Sequence, residues 1–268
     1  MTIRLLGTGA ADGIPALYGN DKVSTYAREH GGKDVRTRSA AIVDGVVKID
    51  LGPDTAMQLQ RDGLSARDWS ALVFTHSDDD HLAENEIQYA LFPFTDLEFL
   101  PFPIYANATV LEIIAARYPN WPMELIETQS FECFDHGNYR ITPVRARHIP
   151  GEDCHNLVIE RGGKTLFYAT DTGVFHEETL VFLRRFRIDA MVIECTDGFC
   201  QQDYEGHLNV DECVDMVTRM RSDGSLRSGA RVVTTHHSVR GLGRHCDLEC
   251  ALKPHGIEVG YDGMEFEI

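Results

Sequence analysis

Short apolar runs alternate along this chain with segments whose apolar residues recur at helical spacing. The runs predict strands at Ile3–Leu6, Ala40–Val43, Val46–Ile49, Ala71–Phe74, Tyr139–Val144, Leu157–Glu160, Thr165–Ala169, Ala190–Glu194 and Arg231–Thr234. The amphipathic segments predict helices at Asp54–Arg61, His81–Ala90, Thr109–Tyr118, Glu177–Phe186 and Val210–Arg221. The last carries a start signal, because Asn209 and Glu212 fit a capping box ahead of an apolar stripe of Val210, Val214, Val217 and Met220. Strands come in hairpin-like pairs early in each half, with helices after them. That order predicts an α/β architecture over residues 1–268 as one domain, two sheets packed together with helices outside. The aromatic, proline-broken stretch 91–105 excludes a regular helix and reads as a loop over a site mouth, against a partner subunit, or packed on the surface of the core.

Composition narrows the partners. Lysine and arginine number 25 against 42 aspartates and glutamates, a formal charge of −17. Such a surface repels polyanions, which argues against nucleic acid while leaving room for a small phosphorylated substrate. Seven cysteines without a Cys-x-x-Cys pair read as reduced thiols. No apolar run is long enough for a membrane span, and the first residues lack a secretory pattern, so the cytoplasm is the expected address.

The chemistry concentrates at Thr75-His76-Ser77-Asp78-Asp79-Asp80-His81, directly after Leu72-Val73-Phe74. Imidazole and carboxylate are ligands for Zn²⁺, Mn²⁺ and Fe²⁺, and packing them where a strand leaves the core is costly without a cation. An acidic loop at a helix N-terminus would explain the aspartates and leave both histidines idle. Further donors follow other β-rich runs: His148 after Ile141–Arg147, Asp171 after Leu166–Thr170, and His236 after Val232–Thr235. A rigid sheet can hold side chains at strand ends around one point.

These residues resemble the metallo-β-lactamase superfamily, whose pattern is His-x-His-x-Asp-His followed by a distant His, an Asp and a last His. The resemblance implies a four-layer αββα sandwich of two mixed sheets with helices outside, and two divalent metal ions (Zn, Mn or Fe). His76, Asp78 and His148 would hold the first and Asp80, His81 and His236 the second, with Asp171 bridging. Leu6-Gly7-Thr8-Gly9-Ala10-Ala11-Asp12-Gly13-Ile14-Pro15 and Arg36-x-Arg38-Ser39 are similar to the branch of phosphonate-pathway cyclic phosphodiesterases and tRNA 3′-processing nucleases. The chain departs from the pattern twice. Asp78 stands where the family has a second His, which hardens the first site toward Mn²⁺ or Fe²⁺ or weakens it. No cysteine precedes Cys133, so the accessory zinc loop of related chains is not expected, and residues 16–36 must hold shape by packing or be mobile.

The resemblance implies a metal-dependent hydrolase, foremost a phosphodiesterase acting on a small or cyclic phosphate ester through a metal-bridging hydroxide. His207, in Gly206-His207-Leu208-Asn209, is the candidate general acid, and Asp80 the second catalytic candidate. His236 rather than its neighbour His237 matches the ligand position, which leaves His237 for substrate. Among Arg36, Arg38, Arg145, Arg147, Arg240 and Arg244, one or two are expected to clamp phosphate, Arg38 foremost. Asp50 reads as a brace for the metal loop, Asp79 as solvent-facing or orienting a ligand from outside, and His155, His176, His245 and His255 as surface or packing residues. Family members are often dimers, and the 91–105 segment is compatible with a homodimer. Two other readings keep the site, a thioester or lactone hydrolase and a non-catalytic metal-binding protein in which Asp78 marks decay.

Overall fold

The apolar runs assemble two mixed seven-stranded sheets. The computed structural model describes residues 1–268. The first sheet holds β1 (Thr2–Gly7), β2 (Ala40–Val43), β3 (Val47–Ile49), β4 (Ala71–Val73), β5 (Ile104–Ala106) and β6 (Leu125–Glu127). The second holds β7 (Phe134–His136), β8 (Tyr139–Arg145), β9 (His155–Arg161), β10 (Lys164–Ala169), β11 (Ile188–Glu194), β12 (Leu226–Thr235) and β13 (Glu258–Val259). The last strand, β14 (Glu265–Glu267), returns to the first sheet beside β1.

Side-chain alternation assigns the layers. Val47 and Ile49 of β3, Leu166 and Tyr168 of β10, and Ala190 and Val192 of β11 meet in the core between the sheets. Their alternates Phe167, Ala169, Met191 and Ile193 face helices on the outer side of the second sheet. Each such side chain taken fully out of water contributes ~1.5–3 kcal/mol, so a one-residue slip of register would cost several of them at once. Three helices cover the second sheet: α4 (Glu177–Leu183), α5 (Val210–Ser222) and α6 (His245–Leu252); α2 (Thr55–Asp62) and α3 (Ala108–Arg117) flank the first. The expected four-layer sandwich is what forms.

Several boundaries differ from the sequence reading, each for a local reason. The helix expected over His81–Ala90 is reduced to a 3₁₀ segment at Glu84–Ala90. The backbone of His81–Ala83 instead pairs with Leu51, whose N–H donates to the His81 carbonyl and whose carbonyl accepts from Ala83 N–H. The α5 capping box forms as read, but its buried stripe runs through Cys213, Met216, Val217 and Met220, with Val210 and Val214 only partly covered. Residues 16–36 hold shape by packing: Asp21 caps α1 (Lys22–His30), and Val23 and Ala27 bury against Ile14. In the aromatic stretch Leu91, Leu100 and Phe102 join the outer core of the first sheet, while Phe92, Phe94 and Phe99 remain exposed. All seven cysteines are free, and no helix is long and apolar enough to cross a membrane.

The loop after β1 and the segment before β2 are tied by one carboxylate. Asp262 Oδ1 accepts from Thr8 N–H (2.9 Å) and its hydroxyl (2.8 Å), and Oδ2 accepts from Thr37 N–H (2.8 Å) and its hydroxyl (2.6 Å). Removing it strands two amide donors. Asp262→Ala should therefore lose about 3 kcal/mol of stability in urea unfolding, from desolvation costs of that order per pair of orphaned groups. An unchanged midpoint would show that solvent replaces the carboxylate.

Candidate metal centre

Five loops deliver side chains to one end of the sandwich. His76 and its neighbours follow β4, His148 follows β8, Asp171 follows β10, Glu194 ends β11 and His236 follows β12. Asp50 follows β3, and Asp50, Asp171 and His236 all adopt left-handed backbone, with φ of 58°, 47° and 57°. Non-glycine residues enter that region at a cost of order 1–3 kcal/mol, and here the turn aims each side chain into the same space. Gly52 lets the metal loop approach, since a Cβ there would collide with the Asp80 carbonyl.

Six of the seven expected ligands fall into two compact donor sets, and the seventh, Asp78, lies half-exposed at their edge. Asp171 reaches both halves, with Oδ2 at 2.9 Å from His81 Nε2 and Oδ1 at 3.1 Å from His236 Nε2 and 3.7 Å from His148 Nε2. Asp80 Oδ2 lies 3.2 Å from His81 Nε2 and 3.4 Å from His236 Nε2. Asp78, the departure from the family pattern, lies 3.0 Å from His148 Nε2 and 3.6 Å from His76 Nε2. His76, His148 and Asp171 form one set of donors close enough for a common ion, and Asp80, His81 and His236 another.

The outer nitrogens decide which way the lone pairs point. His81 Nδ1 donates to Asp50 Oδ2 at 2.7 Å. The Thr75 hydroxyl donates to the Asp50 carboxylate at 3.0 Å and so accepts from His76 Nδ1 at 2.9 Å. His148 Nδ1 donates to the Gly206 carbonyl at 3.2 Å, and His236 Nδ1 pairs with Thr196 Oγ1 at 2.8 Å. Every Nε2 is thereby left facing the centre, the arrangement by which metal-ligating imidazoles are oriented from outside.

Those inward nitrogens test whether cations fit. His76 Nε2 is buried with no partner, and His81 Nε2 faces His236 Nε2 at 3.4 Å. Two lone pairs aimed at each other repel unless a cation or proton lies between them. In the metal-free protein protons take that part. Burial opposes charge on both groups, yet the neighbouring carboxylates hold His81 well above the ordinary imidazole range, and the His236 and His81 rings hold Asp171 well below the ordinary carboxylate range. Mixed imidazole and carboxylate donors suit Zn²⁺, Mn²⁺ or Fe²⁺. The residues fit two divalent ions.

His207 stands beside the ligands, in a third set with Asp171 and His236. Its Nδ1 donates to Glu194 Oε1 at 2.8 Å, and its ring stacks 5.5 Å from that of His236. Burial alone would lower its pKa, but Glu194 raises it to about 9. Glu194 is fully buried and also accepts from the N–H groups of Thr172, Thr196 and Leu208. Sequence reasoning passed over it, although a carboxylate ending the apolar run Met191-Val192-Ile193 was the available signal. Lys48 was missed too: this fully buried amine on the outer face of β3 donates to the carbonyls of Ile49 and Asp50, and burial lowers its pKa to about 7 against the pull of Asp50. It thus braces the left-handed turn that carries Asp50.

Other expectations need correction. His237 is 2% exposed and its Nε2 pairs with Thr234 Oγ1, so it is a core residue and not a substrate contact. Arg38 is bound to Asp54 at 3.2 Å and to the Ala11 carbonyl. Arg145, Arg147 and Arg244 pair with Glu178, Glu205 and Asp247, and Arg36 is buried against Thr8, Gly260 and His245. Arg240 donates to Gln202. None of the six guanidinium groups points into the donor cluster as a free clamp. Asp79 is exposed, while His155 and His245 are buried as packing residues.

Comparison with known proteins agrees with this geometry. The family model described as "Beta-lactamase superfamily domain" matches residues 46–237, a span that contains all seven expected ligands. A crystal structure described as a new diphosphatase from the PhnP family aligns at TM-score 0.80 and 21% identity, covering 100% of this chain and 97% of the other. Zn²⁺-bound PqqB from Methylobacterium extorquens aligns at 0.79 and 17%, covering 100% of each. Human tRNase Z, short form, aligns at 0.66 and 18%, covering 100% and 99%. No curated protein matches the sequence.

If Asp50 orients both His81 and His76, weakening it should act through the ions. Asp50→Asn is expected to lower Zn²⁺ or Mn²⁺ affinity on the order of 10–100-fold in a competition titration. Chelation should lower the melting temperature of the wild-type protein, and restored metal should raise it. Equal affinity in the variant would remove Asp50 from this role.

Proposed function

This chain belongs to the metallo-β-lactamase superfamily, and we propose that within it the chain is a metal-dependent phosphodiesterase for a small or cyclic phosphate ester. The observation that carries this reading is the His207–Glu194 pair set against the double donor cluster. A diester expels an alkoxide, which is a poor leaving group until it is protonated, and His207 is the imidazole beside the cluster that is not needed as one of its seven ligands. Cations held by those ligands would polarise a phosphoryl oxygen and lower the pKa of bound water.

The protein's own groups account for the rest. Glu194 keeps the His207 proton on Nδ1 and stabilises the imidazolium, so Nε2 can hold and release a proton toward the cluster. The four hydrogen bonds on Glu194 fix it so that the pair does not reorient when the proton leaves. Against the effect of burial, neighbouring imidazoles hold Asp80 and Asp171 below the ordinary carboxylate range, and that negative inner wall opposes anionic substrate unless the ions are present. The diphosphatase and tRNase Z among the similar structures are both named for chemistry at phosphorus. A tRNA-sized substrate fits poorly with a chain of net charge −17. A site in decay is also disfavoured, since Asp78 reaches two imidazoles of the first half.

The test is a panel of bis-p-nitrophenyl phosphate, unactivated alkyl diesters, thioesters and lactones, with Mn²⁺ and Zn²⁺ added separately. Diesters should be hydrolysed best. His207→Ala should lose about 10²–10⁴-fold on an alkyl diester and far less on the nitrophenyl ester, whose leaving group needs no proton, with metal content unchanged. In the wild type the alkyl-ester rate should fall as pH rises through the His207 pKa, and that limb should vanish in the variant. Equal losses on both esters would remove His207 as the acid. Faster turnover of thioesters or lactones than of any diester would reverse the substrate assignment.

A further inference from the structure

A second polar space opens on the far side of His207. The cavity, about 320 Å³, is bounded by His207, Tyr204, the Arg147–Glu205 ion pair and the start of α5. Its floor is Asp197, three residues beyond Glu194, so one short segment supplies the partner of His207, the Thr196 partner of His236, and this carboxylate. Asp197 is 7% exposed, yet its carboxylate accepts no hydrogen bond from any protein group. Its backbone is fixed, the N–H donating to the Leu208 carbonyl at 3.0 Å and the carbonyl accepting from Cys200 N–H at 2.8 Å. Its oxygens remain open to the cavity beside the proposed acid, so a ligand that displaces solvent there has to supply the donors that the protein does not.

The charge around it selects the donor that would satisfy it. Asp203, Glu205 and Glu212 also line the space, and Glu194 stands behind it. Both cations in the lining are already held, Arg147 by Glu205 and the His207 imidazolium by Glu194, and Arg240 nearby is turned to Gln202. Burial raises the Asp197 carboxyl to about 6, with His207 and Arg240 opposing the rise and Glu194 and Glu212 adding to it. A hydroxyl would fill the missing hydrogen bond and leave the charge. An ammonium answers both, whereas a phosphorylated or carboxylated group is repelled.

We propose that this cavity is the leaving-group subsite and that Asp197 receives a protonated primary or secondary amine there, which makes the substrate a phosphodiester of an amino alcohol. The assignment rests on the phosphodiesterase reading above. One water is consumed, the phosphorus–oxygen bond to the amino alcohol breaks, and its oxygen takes the proton from His207. The products are a phosphate monoester and the free amino alcohol, whose ammonium has stayed charged throughout.

The metal-loaded protein tests this with methyl 3-aminopropyl phosphate and methyl butyl phosphate. The ratio of their kcat/KM values should fall by at least about tenfold in Asp197→Asn, because a charge-assisted bond to a buried carboxylate is lost. It should not change in Asp96→Asn, an equal charge change on a distant exposed loop. Without any variant, 3-amino-1-propanol should inhibit hydrolysis of bis-p-nitrophenyl phosphate competitively, and 1-butanol at the same concentration should not. A ratio unmoved by Asp197→Asn, or equal inhibition by both alcohols, overturns the subsite while bis-p-nitrophenyl phosphate turnover leaves the phosphodiesterase reading standing. If no diester is hydrolysed but 3-amino-1-propanol, unlike 1-butanol, binds the wild type in calorimetry and loses affinity in Asp197→Asn, the amine site stands and the reaction assignment falls.

Discussion

Seven donors, three of them carboxylates, share one end of this protein, and all but the half-exposed Asp78 are largely shut off from water. Their mutual repulsion is the constraint that the rest of the structure answers. At ~4 Å separation like charges in a poorly solvated site cost several kcal/mol even at an effective dielectric constant near 20. The sandwich has to be stiff enough to hold them there, and positive charge has to be present between them. Protons on His81 and His148 serve when metal is lacking; divalent cations serve better, since each answers several donors at once.

Stiffness comes from layers set outside the cluster. Two sheets with a continuous core between them fix the strand ends, and left-handed residues at three of those ends turn side chains inward. Behind them stands a ring of hydrogen bonds, in which Asp50 serves His81 and, through Thr75, His76. Lys48 supports the turn that holds Asp50, and Asp262 ties the loops on the neighbouring side. The proposed proton donor is built by the same means, with Glu194 and its backbone donors in place of Asp50. Two neighbouring sites with opposite needs, one collecting cations and one holding a proton, are thus carried on adjacent strands.

Legibility in the sequence followed the range of the signal. The ligands of residues 76–81 lie within one loop and could be read directly, and strands of four or more residues were found to within two residues at each end, except β12, which begins at Leu226 and not at the expected Arg231. Strands β5, β6, β7, β13 and β14, of two or three residues each, are too short to show alternation. The helix expected after His81 failed because a tertiary pairing with Leu51 outweighed local periodicity. His237 looked functional by adjacency to His236, but the chain turns at His236 and sends the next side chain into the core. Glu194, Lys48 and Asp197 were silent for a common reason: each is a charged residue whose meaning depends on what the fold brings near it. The likeness to a superfamily supplied the pairing of distant ligands, which no local pattern contains.

Both functional proposals depend on the same centre, one for the reaction and one for the group it expels. Crystals grown with Mn²⁺ and measured for anomalous scattering test that centre most directly. Two peaks per chain are expected, one among His76, His148 and Asp171 and the other among Asp80, His81 and His236, with Asp171 touching both. No peak in this region, or strong peaks only elsewhere on the acidic surface, would contradict the account.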